Sequence, residues 1–318
     1  MRTGAAAGHH GYYHEAVCYD SDEHLLGVVV PFLTGGAEAG EPAVVALGQR
    51  NAELVRAALP ADCPVTYLAG GDTYARPAAA IRAYRGMLGD LVAGGAAQIR
   101  IIGELPAASF GPVWDSWARY ESAINHAYDE FPLWSMCAYD VRTTPVPVLD
   151  DVARTHPRTA LPDGRHPANE PYIDPRVFLA ERRPLPPDRL RATAPRAELT
   201  GPSASRARQA VRETAPTGLA ASDLDEFLVA VSEIVTNAAR YGQPPARMRI
   251  WTDTARVIVE VTDAGHGPGD PFAGLLPGNN ANGGGLGLWI THQICGHVAF
   301  TSDEHGFTVR LSTGSPVV

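Results

Sequence analysis

The order in which extended and helical patterns follow one another changes once along this chain. That change limits the available folds more than any single motif does. Between about residues 14 and 155, short apolar runs alternate with helical segments. Ser21-Asp22-Glu23 predicts a helix start before Leu25, Leu26, Val29, Phe32 and Leu33, and Gly35-Gly36 predicts its end. Strands are expected at 43–47, 65–68, 98–102 and 133–139, and helices at 51–59, 77–92, 112–128 and 146–155. Continuous apolar strands set between helices imply an α/β domain, its mostly parallel sheet covered on both faces. From about 198 the order differs. Helices are expected at 203–213 and 222–241, then strands at 247–252 and 257–262. A Gly/Pro/Asn-rich loop follows at 264–285, then a short helix at 286–294 and strands at 298–302 and 307–311. Helices followed by a meandering sheet imply an α+β layer sandwich. Between the two halves, Arg182-Arg183-Pro184-Leu185-Pro186-Pro187 opens a stretch that reads as a solvated linker. The expected division is a first domain at 12–182, a linker at 183–197 and a second domain at 198–318.

Composition removes several function classes. The 318 residues are 45% hydrophobic and 19% charged, which suits folded domains and not a disordered chain. The formal charge is 26 − 35 = −9, which argues against direct nucleic-acid binding. All 26 basic residues are arginine. A Walker A phosphate loop and a Schiff-base enzyme both need lysine, so any nucleotide phosphates must be held another way. Cys18, Cys63, Cys137 and Cys295 are far apart with no C-x-x-C, which points to a reduced, cytoplasmic setting and no zinc ribbon. The N-terminus has no signal-peptide pattern, and the apolar stretch Leu25–Leu33 contains Pro31 and is too short to span a bilayer, so no membrane contact is expected. His10, His14 and Cys18 would share one face of a helix and could hold a soft metal. The β-like run Ala16-Val-Cys-Tyr argues against a helix there, so no metal is expected at that spacing.

Three segments of the second half carry chemistry. Glu233 and Asn237 are i,i+4 on one helix, opposite the apolar set Phe227, Leu228, Val231, Ile234, Val235 and Ala238. An amide oxygen is a hard neutral ligand suited to Mg²⁺, and a carboxylate one turn earlier can take a proton. Alone, the pair also reads as a solvated helix face. Asp263, with Gly265 and Gly267 behind it, ends a strand. Such a carboxylate can accept the adenine amine while the glycines let backbone approach the base; the plain alternative is an Asp-x-Gly turn. Gly283-Gly-Gly285-Leu286-Gly287-Leu288 opens a helix, and its N–H groups form an anion nest that needs no lysine. A flexible hinge is the alternative. The loop before it could close as a lid.

Taken in this order, the three segments resemble the ATP-binding domain of the GHKL superfamily, shared by gyrase, histidine kinases, heat-shock chaperones and anti-sigma serine kinases. Glu233, Asn237 and Arg240 resemble its N-box, Asp263, Gly265 and Gly267 its G1 box, and Gly285, Leu286 and Gly287 its G2 box. Gly306-Phe-Thr308-Val-Arg resembles the last strand pair, where a Thr often backs the adenine-binding Asp. The short lid and Gly-Gly-Leu-Gly-Leu-Trp-Ile look most like the anti-sigma serine/threonine kinases. That resemblance implies ATP and Mg²⁺ as cofactors, Glu233 as general base and Asn237 as Mg²⁺ ligand. It also implies a sigma factor or its serine-bearing antagonist as partner, with a homodimer left open. The chain departs from the pattern at Tyr241, where many such kinases carry His. A non-catalytic ATP-gated binding module and a histidine kinase are the alternatives.

The first half resembles the MEDS sensory domain, which implies a RecA/KaiC-like core and a small-molecule signal. Its marks are His14 with Tyr19, Gly36-x-x-x-Gly40-Glu41, Gly103-Glu104, Tyr120-Glu121, Cys137-Ala-Tyr139-Asp140 and His156-Pro157. Gly40-Glu41 and Gly103-Glu104 fall at strand ends, where open α/β sheets place ligands; turns and caps are the plain alternative. The resemblance as a whole implies a sensor coupled to an ATP-dependent regulator.

Overall fold

The computed structural model describes residues 1–68, 74, 76–278 and 286–314. The chain divides into two compact units, Met1–Ala75 with Ala79–Leu179, and Ala180–Val318 with Arg76–Ala78. No described helix is long and apolar enough to cross a membrane.

The first unit runs β1 (Tyr13–Tyr19), α1 (Asp22–Glu38), β2 (Ala43–Ala46), α2 (Gln49–Ala58), β3 (Val65–Tyr67), α3 (Pro77–Ala93), β4 (Ile99–Gly103), α4 (Trp114–Ala127), β5 (Leu133–Asp140), α5 (Val146–Thr155), β6 (Arg158–Thr159) and α6 (Pro175–Ala180). Its sheet has the order β3-β2-β4-β5-β1-β6, and every neighbouring pair is parallel. The expected α/β class is therefore present. One face packs Val17, Val45, Ile102, Met136 and Ala138 against Leu25, Val29 and Leu33 of α1 and Val55 of α2. Each Val, Leu, Ile or Met among them contributes about 1.5–3 kcal/mol on burial. The opposite face lies under α4, whose Glu121 accepts from Tyr139 Oη of β5 at 3.0 Å.

α1 starts as expected, Ser21 Oγ accepting from His24 N at 3.2 Å, but it runs through Gly35-Gly36 to Glu38. The glycines have another purpose. A Cβ at Gly36 would stand 2.9 Å from Arg100 Cδ, so the small residues let the buried Arg100 lie along the helix, where its Nη1 donates to Phe32 O at 2.7 Å.

The second unit runs β7 (Ala197–Thr200), α7 (Ala204–Thr214), α8 (Ala221–Tyr241), β8 (Arg247–Thr252), β9 (Val257–Asp263), α9 (Leu286–Ile294), β10 (His297–Asp303) and β11 (Gly306–Ser312). Its sheet is antiparallel, order β10-β11-β9-β8-β7. Helical side chains such as Val211, Phe227, Val231 and Ile234 pack on Met248, Ile250, Val259, Val261 and Leu311. The expected α+β class is present, with β7 as an edge strand that periodicity did not separate from the preceding stretch.

The solvated-linker expectation for 183–197 is corrected. This stretch lies on the sheet of the second unit. Thr301 Oγ1 donates to Arg183 O at 2.8 Å, Trp251 Nε1 to Thr193 O at 3.0 Å and Arg196 N to Ile250 O at 2.7 Å. Asp188 pairs with Arg256 at 3.1 Å and Arg191 with Glu260 at 2.6 Å. The physical reason is that Glu260 and Arg310 alternate with the core residues of their strands. They therefore point away from the helices and need cover of their own.

Candidate functional site

α8 presents two faces. Phe227, Leu228, Ala230, Val231, Ile234 and Val235 are buried, while Glu233 and Asn237 stand half-buried beside them. Neither Glu233 nor Asn237 has a side-chain hydrogen-bond partner among the described residues. Arg240 is exposed in the last turn, where a cation suits the helix dipole. Tyr241 is 69% exposed. Gly242 closes the helix, its N donating to Asn237 O at 3.3 Å.

Asp263 ends β9 and is buried. Its Oδ1 accepts from Gly265 N at 2.7 Å and from Gln243 N at 3.1 Å. The carboxylate is thus tied through Oδ1 both to its own turn and to the chain leaving α8. A Cβ at Gly242 would stand 2.6 Å from Asp263 Oδ2 and 2.6 Å from Ala238 O, so only glycine lets the acid sit against the helix end.

At the start of α9, Leu286 is exposed, and a Cβ on Gly287 would lie 2.4 Å from Glu233 Oε2 and 3.5 Å from Asn237 Nδ2. The structure therefore brings Glu233, Asn237 and Gly287 together and places Asp263 at the end of the same helix. Gly285, with Gly283 and Gly284, lies outside the described residues. The loop expected to act as a lid is packed down in its described part, with Phe272 and Leu275 buried.

Gly265 and Gly267, expected to clear space for a base, meet a second demand. A Cβ at Gly265 would meet Asp263 Oδ1 at 2.7 Å, and one at Gly267 would meet the Phe307 ring at 2.5 Å. Protein contacts already require both glycines. Thr308 does not back Asp263. The β9–β11 register sets Phe307 opposite Asp263 and Thr308 opposite Thr262, with the two threonine hydroxyls 2.8 Å apart. Successive strand residues point to opposite faces, so Thr308 is on the side of the sheet away from the acid. Sequence reasoning missed Gln243 and Phe307. Gln243 acts through its backbone N–H, which no side-chain pattern reveals.

The cofactors expected here suit these groups: a neutral amide and a carboxylate share one face, an acid is fixed by two N–H donors, and a glycine fits where a Cβ would intrude. Replacing Gly287 by alanine should push the Glu233 carboxylate aside without touching backbone. ATP affinity measured by calorimetry is expected to fall ~10-fold, about one charged hydrogen bond, with the thermal midpoint unchanged. An unaltered affinity would separate Gly287 from the site.

In the first unit, Glu41 and Glu104 lie at opposite ends of the sheet. Glu41 precedes β2 and forms a buried ion pair with Arg100 at 2.7 Å while accepting from Gln98 and Thr3. The expected ligand position there is corrected: it is a tie between elements. Glu104 follows β4, accepts from Gly48 N at 3.0 Å and from Asn51 Nδ2, and has its pKa raised by burial.

Comparison with known proteins gives two family matches. Residues 13–157 match the family described as MEDS, the MEthanogen/methylotroph, DcmR Sensory domain. Residues 197–313 match the histidine kinase-like ATPase domain. No protein with a curated description matches the chain. One similar solved structure is of the RsbU and RsbW domains of Rv1364c from Mycobacterium tuberculosis, at 20% identity and a TM-score of 0.27, covering 39% of this chain and 34% of that one. Another is the histidine kinase domain of the E. coli osmosensor EnvZ, at 23% identity and a TM-score of 0.23, covering 40% of this chain and 92% of that one. The chain thus spans about a third of the first of these.

Proposed function

From a chain that joins a MEDS domain to a histidine kinase-like ATPase domain, we propose a signalling regulator. Its first half senses a small molecule, and its second half binds Mg²⁺·ATP and acts on a protein partner. The observation that carries nucleotide binding is the meeting of Gly287 with Glu233 and Asn237. Bound Mg²⁺·ATP supplies the transferable phosphoryl group and neutralises charge on its oxygens. Asn237 holds the cation through its amide oxygen. Asp263 accepts the adenine amine, held in place by Gly265 and Gln243. Leu286 and Gly287 direct N–H groups of the α9 N-terminus at phosphate oxygens. Arg240 stands at the rim for the same charge. Glu233, one turn from Asn237, takes the proton of the attacking hydroxyl. The motif resemblance favours a serine or threonine acceptor on a sigma-factor antagonist, or capture of the sigma factor itself, in the cytoplasm.

A second reading is ATP-gated partner binding without turnover. The exposed Tyr241, in place of the family's frequent His, favours it. Incubating the full chain with γ-labelled ATP and partners captured from the native host separates the readings. Transfer predicts acid-stable label on the partner, lowered ~10²–10⁴-fold by Glu233→Gln with ATP binding kept. Saturable ATP binding with no label on any partner supports the gated module. Acid-labile label on the chain itself would replace both with a histidine kinase.

A further inference from the structure

Four side chains of the first unit bring one ligand atom each to a single point under α4. His14 lies on β1, Cys137 on β5, Glu121 on α4, and His156 directly after α5. All four ligand atoms lie within 4.8 Å of one another. His14 Nε2 is 3.4 Å from Cys137 Sγ and 3.8 Å from Glu121 Oε2. Cys137 Sγ is 3.7 Å and His156 Nε2 3.6 Å from the same Oε2. Ligands bound at ~2.0–2.3 Å around a tetrahedral ion stand ~3.3–3.8 Å apart, so these four separations already match that edge length.

The partners on the far side of each ring set the tautomers. Asn125 Nδ2 donates to the carbonyls of Glu121, Ser122 and Thr155, which turns its Oδ1 toward His14 Nδ1 at 3.0 Å. An amide oxygen only accepts, so His14 carries its proton on Nδ1. His156 Nδ1 is 2.9 Å from Val152 O, with the same consequence. Both Nε2 lone pairs therefore point inward, and the buried His156 Nε2 has no hydrogen-bond partner. Rings anchored through the other nitrogen are typical of metal-ligating histidines.

Charge supplies a separate argument. Glu41 and Glu260, also buried, each pair with an arginine, and the fully buried Glu15 pairs with His166. Glu121 is 1% exposed, and its partners among the described residues are His14, His156, Cys137 and Tyr139. Two inward lone pairs, a carboxylate and a sulfur facing one point repel one another unless a proton or a metal cation lies between them.

We propose that His14, Glu121, Cys137 and His156 form a four-coordinate site for a borderline divalent cation of the Zn²⁺ class. The nitrogen, sulfur and oxygen set suits that class, whereas Mg²⁺ and Ca²⁺ take oxygen ligands. Cys137 gives up its thiol proton as the sulfur–metal bond forms, so binding acidifies the medium. Cys137 is the one residue of the four that retains partial exposure.

The test uses the full chain, stripped with chelator and titrated with Co²⁺ without nucleotide. The expected result is one Co²⁺ per chain, with tetrahedral d–d bands and a thiolate-to-cobalt charge-transfer band. Zn²⁺ should bleach both. Cys137→Ser should lose the charge-transfer band, Cys18→Ser should keep it, and Asn125→Ala should weaken binding ~10–100-fold. Zinc-edge absorption on the Zn²⁺-loaded wild-type chain should fit one sulfur and three nitrogen or oxygen neighbours, whether or not a variant folds. A wild-type chain without the charge-transfer band, a band that survives Cys137→Ser, or a zinc shell without sulfur each overturns the proposal.

Discussion

Asn237→Ala is expected to abolish Mg²⁺-dependent ATP binding while leaving the fold intact. The two halves of this expectation rest on different physics. The Asn237 side chain is half-buried and bonded to no described residue, so its removal breaks no internal hydrogen bond. Alanine is also the best helix former, so α8 loses nothing in propensity. In the proposed site, by contrast, the amide serves as the protein's cation ligand. Mg²⁺ keeps most of its waters and takes few protein groups, so there is little to compensate for the loss. Loss of groups that merely orient ligands costs ~10–100-fold, and loss of the ligand itself should exceed that. Calorimetric titration with Mg²⁺·ATP, alongside far-ultraviolet circular dichroism, reads both halves. Wild-type affinity in the folded variant would remove Asn237 from the site.

Glu260→Ala is expected to produce the largest loss of stability in the second unit, ~3–5 kcal/mol. Glu260 is 1% exposed on β9, and its Oε1 meets Arg310 Nε at 2.8 Å and Arg191 Nε at 2.6 Å. Arg249 reaches Oε2 at 3.3 Å. Removing the carboxylate leaves Arg310, itself 1% exposed, as a buried and uncompensated cation. The middle of the 183–196 segment should then loosen, since Arg191 and the Arg310–Pro186 O bond hold it to the sheet, while the ties at Arg183, Asp188, Thr193 and Arg196 remain. Amide exchange in that segment and the denaturant midpoint provide two independent readouts. A change worth under ~1 kcal/mol would mean the cluster behaves as a solvated surface network.

Sequence pattern located most elements to within two residues, because burial imposes its period directly on the residues of a helix or strand. α5 (Val146–Thr155), β8 and α9 fall where periodicity puts them. The misses have specific causes. Gly35-Gly36 reads locally as a helix stop, yet the contact that demands small residues there is with Arg100, a strand residue far along the chain. The proline- and arginine-rich stretch reads as solvated because its partners come later in the chain, Trp251 and Glu260 on strands and Arg256 in the turn between them. Thr308 looked right by motif and is wrong by register, since strand parity is set by pairing with β9.

For the candidate nucleotide site, three short segments and their joint resemblance to the GHKL boxes named Glu233, Asn237, Asp263 and Gly287, because the chemistry of each segment is local. His14, Glu121, Cys137 and His156 were readable only as scattered family marks. They lie on β1, α4, β5 and the turn after α5, elements brought together by the parallel crossovers of the sheet. Period and propensity act over a few residues, whereas this site joins His14 to residues more than a hundred positions away. Chain order could supply the four ligands; their convergence on one point required the folded sheet.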